Sequence, residues 1–177
     1  MLTRSLLLVS VCLFACSSPG SSKASLAAGP PRIIRAEAYI EAPYGAVWTS
    51  FATAGGYGAW ASTPCKSFGR IPGDPVVWGD ERIVYRGTLT RMEHGAGLAH
   101  TFQFVGFDFE ERPSPVEIEI VEAGSTVRVT IEHDCTGAPE TYAMISPVGW
   151  SKSLSRLKTL LETGDAMPWP DEVWTPR

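Results

Sequence analysis

Apolar positions in this chain recur with two periods, two and about 3.6, and the switches between them mark its elements. "IIRAEAYIEAP", from Ile33, sets Ile34, Ala36, Ala38 and Ile40 on one face and Arg35, Glu37 and Tyr39 on the other, a strand ending at Pro43. Pro43 suits the first turn of a helix. Val47, Trp48 and Phe51 then recur at helical spacing. "AGGYG", residues 54–58, breaks that helix, and a short second helical piece around Tyr57 to Ser62 carries Trp60. Strands joined by turn residues follow. "ERIVYRGTLTRM" alternates Ile83, Tyr85, Gly87 and Leu89 against Arg82, Arg86 and Thr88, and "AHTFQFVGF" groups His100, Phe102 and Phe104 against Thr101 and Gln103. The clearest hairpin is "PVEIEIVEAGSTVRVTIEH". Val116, Ile118 and Ile120 oppose Glu117 and Glu119, the turn falls at Ala123-Gly124-Ser125, and Val127, Val129 and Ile131 oppose Arg128, Thr130 and Glu132.

One apolar and one charged face predict an antiparallel sheet covered on a single side. Arg128 is expected to pair with Glu117 or Glu119 across the solvated face. The cover is "SPVGWSKSLSRLKTLLETG", in which Trp150, Leu154, Leu157 and Leu161 form a continuous helical stripe. Ser146 is placed to cap this helix, Pro147 to open it and Gly164 to close it, with Lys152, Arg156 and Glu162 mostly off the stripe. The order is thus strand, two short helices, several antiparallel strands, one long helix, which makes a two-layer α+β domain.

This order resembles the helix-grip fold shared by START domains and birch-pollen-allergen-like proteins, the SRPBCC superfamily. "IEAPYGAVWTSF" is similar to that superfamily's opening strand and Ala-Pro-x-x-x-Val-Trp helix. "SPVEIEIVEAGSTVRVTIEHD" and "GWSKSLSRLKTLLETG" are similar to the last hairpin and closing helix of the family named after the activator of the Hsp-90 ATPase, in its small bacterial form. The resemblance spans about residues 33–164 and implies a curved antiparallel sheet wrapped around a long C-terminal helix. Its motifs are core and turn positions, which speak for fold more than activity.

The resemblance further implies a cavity between sheet and helix, often used for apolar ligands. Tyr85, Phe102, Phe104, Val129, Ile131, Trp150 and Leu154 are expected to face it, with Trp48 and Trp60 near its mouth. An aromatic residue on an inward face is more often plain core. Two inward histidines carry more information, because a buried imidazole needs partners. His100 shares a face with Phe102 and Phe104, and His133, at a strand end, with Val129 and Ile131. Each is a candidate ligand or acid–base contact, or a histidine satisfied by backbone. His94, in "EHGAG", reads as an exposed turn residue, and "DFEER", 108–112, as a loop of solvated charge.

The ends set the location. A single basic residue, Arg4, precedes an apolar run from Leu6 to Cys16, too short to span a bilayer and shaped as a secretory leader. Leu13-Phe14-Ala15-Cys16 resembles the bacterial lipobox, with Phe14 departing from the usual small or β-branched residue. The expectation is a signal peptide over 1–15, lipidated Cys16, and a Ser/Gly/Ala/Pro tether to residue 32. Removing the leader takes the net charge from −4 to −5. An acidic chain without a basic cluster gives no reason to expect nucleic acid as a partner. No Cys/His spacing suggests zinc, no cofactor motif is found, and Gly-x-Ser-x-Gly, phosphate-loop and HExxH patterns are missing. Cys65 and Cys135 are either a disulfide or two buried small hydrophobes. The tail "DAMPWPDEVWTPR", 165–177, reads as an extended segment packed by Trp169 and Trp174, or as a docking segment.

The expected function is an envelope lipoprotein binding a small apolar molecule or lipid. The alternatives are a cyclase- or hydrolase-type enzyme using a cavity histidine, and a protein–protein interaction module. Activating a chaperone ATPase is a cytosolic task, so the family name does not carry over to an exported chain.

Overall fold

The alternation at Ile33 becomes strand β1, Ile33–Ile40, with Ile34, Ala36 and Ile40 buried and Arg35, Glu37 and Tyr39 exposed. The computed structural model describes residues 30–79, 81, 83–146 and 148–169. The leader, Cys16, most of the tether, Arg82, Pro147 and Trp174 lie outside the described residues. After β1, the carbonyl of Pro43 accepts from the amides of Ala46 and Val47 and starts α1, Tyr44–Ala52. The hydroxyl of Thr53 accepts from the amide of Gly56 and starts α2, Ala54–Trp60. Two strands unforeseen in the sequence follow, β2, Cys65–Ser67, and β3, Pro75–Gly79. Then come β4, Ile83–Glu93; β5, Gly97–Phe104; β6, Ser114–Ala123; and β7, Thr126–Asp134.

All seven strands form one sheet of order β1-β7-β6-β5-β4-β3-β2, with every pairing antiparallel. Its curvature has local causes. The register slips between Leu89 and Arg91 in β4, and such a bulge bends a strand. At Gly87 a Cβ would lie 1.7 Å from the carbonyl oxygen of Thr101, so only glycine admits this approach of β4 to β5. On the outer face Arg128 pairs with Glu119 at 2.8 Å and Arg91 with Glu117 at 2.7 Å. Both are exposed pairs of small energetic weight.

The inner face is covered by α4, Gly149–Thr163, which closes at Gly164 in the left-handed region, φ +91°. Its Leu154 and Leu157 are buried against the sheet core, while Leu161 is partly exposed. Trp150 meets His133 beside the start of β1, whereas Lys158 and Glu162 bond the carbonyl of Tyr39 and the amide of Glu41 at its end. The helix therefore runs along β1 in the same direction.

The predicted start of this helix is corrected. Ser146 ends a separate short helix, α3, Pro139–Ile145, and Val148 precedes α4. In the "DFEER" loop Asp108, Glu110 and Arg112 are exposed as expected, but the reading is corrected for Glu111. The carboxylate of Glu111 accepts from the amides of Glu140 and Thr141, at 2.7 and 2.9 Å, and from the hydroxyl of Thr141 at 2.8 Å. It thus caps α3 from across the molecule. Cys65 and Cys135 are free. Cys65 lies on the far edge strand and Cys135 directly after β7, and burial pushes their thiols up, to about 11 and about 12.

Candidate functional site

Most of the space between α4 and the sheet is filled. Along its middle, Leu154 and Leu157 close on a core that includes Val129, Ile131 and Ile118. At the N-terminal end of α4 an apolar cleft remains, walled by Tyr57, Trp60, Tyr85, Phe102, Trp150 and Trp169, with Ile145, Gly149 and Ser153 at its rim. Its free volume is about 40 Å³, room for about two or three waters. A pocket for a drug-sized ligand holds roughly 300–1,000 Å³. Larger concavities, of about 400, 340 and 170 Å³, are open surface grooves, the second lined mostly by charged residues.

Tyr57, Trp60, Tyr85 and Phe102 belong to one aromatic cluster joined through Trp78, and Trp150 meets it through His133. Tyr57 stacks on Trp60 at 4.5 Å between centroids and Tyr85 on Phe102 at 4.9 Å. Offset aromatic pairs of this kind add to the stabilisation from burial alone. The phenol of Tyr85 is hydrogen-bonded by Ser62 and Thr63. Burial raises the phenol of Tyr57 well above the ordinary range, and its hydroxyl has no partner among the described residues.

Behind the cleft runs a buried polar relay. The indole N–H of Trp150 donates to Nδ1 of His133 at 3.2 Å. That nitrogen must be bare, so His133 carries its proton on Nε2 and donates it to Oγ of Ser114 at 2.7 Å. Ser114 in turn donates to the carbonyl of Phe102 at 3.1 Å. The chain is satisfied from end to end, as burial demands. Its polarity has a chemical consequence. A serine activated by histidine must donate to the imidazole, whereas Ser114 receives from it. Desolvation first, and then the neighbouring His100, hold His133 at about 3, so it stays neutral.

His100 is bonded differently. Nδ1 donates to the carbonyl of Thr101 at 2.9 Å, which leaves Nε2 as a bare lone pair without a partner among the described residues. Its ring packs against Trp78 and Tyr57. Burial brings it down to about 4.

Of the residues expected at the cavity, Trp60, Tyr85, Phe102 and Trp150 line the cleft. His133 stands one bond behind it, through Trp150. Phe104, Val129, Ile131 and Leu154 are core, and His100 is buried beyond the lining. Trp48, expected near the mouth, packs instead on Tyr44 and on His94 of the β4–β5 turn. Val47 and Phe51 claim the inward side of α1, which leaves Trp48 on its flank. Tyr57, Ile145, Ser153 and Trp169 were missed as cleft residues. For Trp169 the signal was present, since a tryptophan in a proline-rich tail needs somewhere to bury its ring. Among the described residues no group of histidine, cysteine or carboxylate side chains is placed to hold a metal ion, and no helix is long and apolar enough to cross a membrane.

The family described as Activator of Hsp90 ATPase homolog 1-like protein matches residues 41–162. No curated protein matches the chain. Among solved structures the chain is similar to CalU16 from Micromonospora echinospora, with 21% identity, a TM-score of 0.61, and 78% of this chain covering 82% of that one. It is similar to DynU16, a protein of the dynemicin biosynthetic locus, with 19% identity, a TM-score of 0.63, and 83% of this chain covering 58% of that one. A protein of Bordetella parapertussis, encoded by gene BPP1335, is 26% identical with a TM-score of 0.58, each chain being covered over 78%. These likenesses establish the fold.

Proposed function

The chain belongs to the activator of Hsp90 ATPase homolog 1-like family, and on that footing we propose that it binds a small apolar molecule in the cleft at the N-terminal end of α4. The observation that carries this reading is the lining. Six aromatic rings converge on one opening beside a helix end, with the hydroxyls of Ser62 and Ser153 as polar points. Mostly apolar walls with a few polar groups are the usual make-up of a ligand site. The hydroxyl of Tyr57, a lining residue without a partner among the described residues, supports the same reading, since a buried polar atom left alone costs free energy that a ligand group would recover.

The bonding of the histidines favours binding over catalysis. Both nitrogens of His133 are engaged, and Ser114 is an acceptor toward it. Nε2 of His100 has no partner among the described residues, but His100 does not border the cleft. On the outer sheet face, where a protein partner would dock, Arg91 is paired with Glu117 and Arg128 with Glu119.

The leader and the Leu-Phe-Ala-Cys sequence support an envelope address, with lipidated Cys16 as anchor and residues 17–32 as tether. Two experiments test the whole. Organic extraction of the purified chain followed by mass spectrometry is expected to release a bound apolar compound or lipid; an empty extract, together with no binding of any apolar probe, overturns the binding role. Cys16→Ala is expected to move the chain from the membrane to the soluble fraction; an unacylated precursor recovered from the cytosol overturns the address.

A further inference from the structure

After Gly164 the chain turns back along α4. The amide of Met167 donates to the hydroxyl of Thr159 at 3.0 Å, and the carbonyl of Met167 accepts from Nη1 of Arg156. This course carries Trp169 into the wall of the cleft. Arg156 holds the arrangement from the other side. Its Nε donates to the carbonyl of Trp60 at 2.9 Å, and its guanidinium carbon stands 5.8 Å from the centre of the Trp169 ring, a cation–π distance.

Two features mark this packing as provisional. The indole N–H of Trp169 is buried without a partner among the described residues, although a buried tryptophan usually finds one. Arg156, half-buried at the mouth, has no carboxylate partner among the described residues. The segment also lies beyond residues 41–162, the span that the family match covers.

We propose that Trp169 is a self-occupant of the cleft, and that the ligand displacing it is a flat aromatic acid. A planar ring takes the place of the indole between Arg156 and the aromatic walls, and its carboxylate pairs with the Arg156 guanidinium, which has no carboxylate partner among the described residues. Displacement also releases to water the indole N–H, which has no partner among the described residues. The free volume of about 40 Å³ is then the closed state of a larger site, and residues 165–169 are the strap whose release opens it. This inference rests on the reading that the cleft holds a ligand.

The test titrates the full chain and its Trp169→Ala variant with 2-naphthoate, with 2-ethylnaphthalene and with decanoate, by calorimetry. Trp169→Ala is expected to bind 2-naphthoate at least tenfold more tightly than the unsubstituted chain, with smaller gains for the uncharged and the flexible probes. Arg156→Met is expected to abolish the preference for 2-naphthoate over 2-ethylnaphthalene. Equal or weaker naphthoate binding by Trp169→Ala makes Trp169 a fixed wall and overturns the strap. Tighter decanoate than naphthoate binding overturns the aromatic acid while leaving a ligand site. Absence of binding by all three probes overturns the inference, and the extraction experiment then judges the ligand site on its own. Hydrogen exchange gives a readout without any probe. The Trp169 indole N–H is expected to exchange at least tenfold more slowly than free tryptophan, and exchange at the free rate overturns the strap.

Discussion

Trp150 donates its indole proton to Nδ1 of His133 across 3.2 Å, and this one bond fixes where the proton of the imidazole resides. With Nδ1 bare, Nε2 carries hydrogen and Ser114 is its acceptor. At neutral pH, ¹⁵N NMR of His133 is therefore expected to show a protonated Nε2 and an unprotonated Nδ1. Trp150→Phe removes the donor and leaves a buried lone pair alone, at a cost of about 1–3 kcal/mol in denaturant melts. The opposite tautomer in the unsubstituted chain would undo the relay.

Acid is expected to unfold the protein in a window set by its two buried histidines. Burial holds His100 at about 4 and His133 at about 3, whereas an unfolded histidine titrates near 6.5. As pH falls below about 6.5 the unfolded chain takes up protons that the folded chain refuses. Stability is thus complete above that pH and declines toward pH 4. For His100 alone the loss by pH 4 is roughly 2–4 kcal/mol. The depressed carboxylates Asp74, Asp134 and Glu162, each held down first by hydrogen bonds to its charged form, act at lower pH. Urea midpoints at pH 7, 5.5 and 4.5 measure the slope. His100→Phe should flatten it, and an unchanged slope would mean that His100 is not shielded from water.

Glu111 is expected to stabilise α3 from outside. Glu111→Ala removes three bonds at the first turn of that helix and should cost about 1–2 kcal/mol. Amide exchange across Pro139–Ile145 should quicken before the sheet is affected. Glu111→Gln keeps an acceptor and should recover part of the loss. Unaltered exchange in Glu111→Ala would show that packing alone holds α3.

The two faces of the sheet should respond unequally. Leu157, on α4 and fully buried against the inner face, is expected to lose about 2–5 kcal/mol as Leu157→Ala. Arg128, paired with Glu119 but exposed, should lose less than about 1 kcal/mol as Arg128→Ala. Equal losses in thermal melts would contradict the assignment of inner and outer faces.

The elements legible in the sequence are those whose burial is one-sided and long enough to show a period. β1, the β6–β7 hairpin and the Trp150–Leu154–Leu157 stripe were readable because each buries every second residue or one helical stripe. β2 is three residues long, and β3 begins at a proline behind glycines, so neither displays a pattern. α3 has seven residues, too few to hold together by local bonds alone, and its cap comes from Glu111, 29 residues earlier.

The candidate site divides along the same line. The resemblance implied a cavity, alternation turned Tyr85 and Phe102 toward it, the helical stripe turned Trp150 toward it, and Trp60 was set near its mouth; all four line the cleft. The pattern could not separate them from Phe104, Val129, Ile131 and Leu154, which share the same faces but pack into solid core. Nor could it place Trp48, whose helical spacing is that of Val47 and Phe51 although its ring lies on Tyr44 and His94.

By itself the sequence determined which residues turn inward and hence the long elements and the two-layer α+β class, because hydrophobic burial acts on the local period of the chain, while the helix-grip arrangement came from the family resemblance. Only the tertiary structure decided which inward residues border open space, which nitrogen of His133 bears the proton, and that the tail reaches back over α4. Each of these depends on the distance between side chains far apart in sequence, a quantity that the pattern along the chain does not contain.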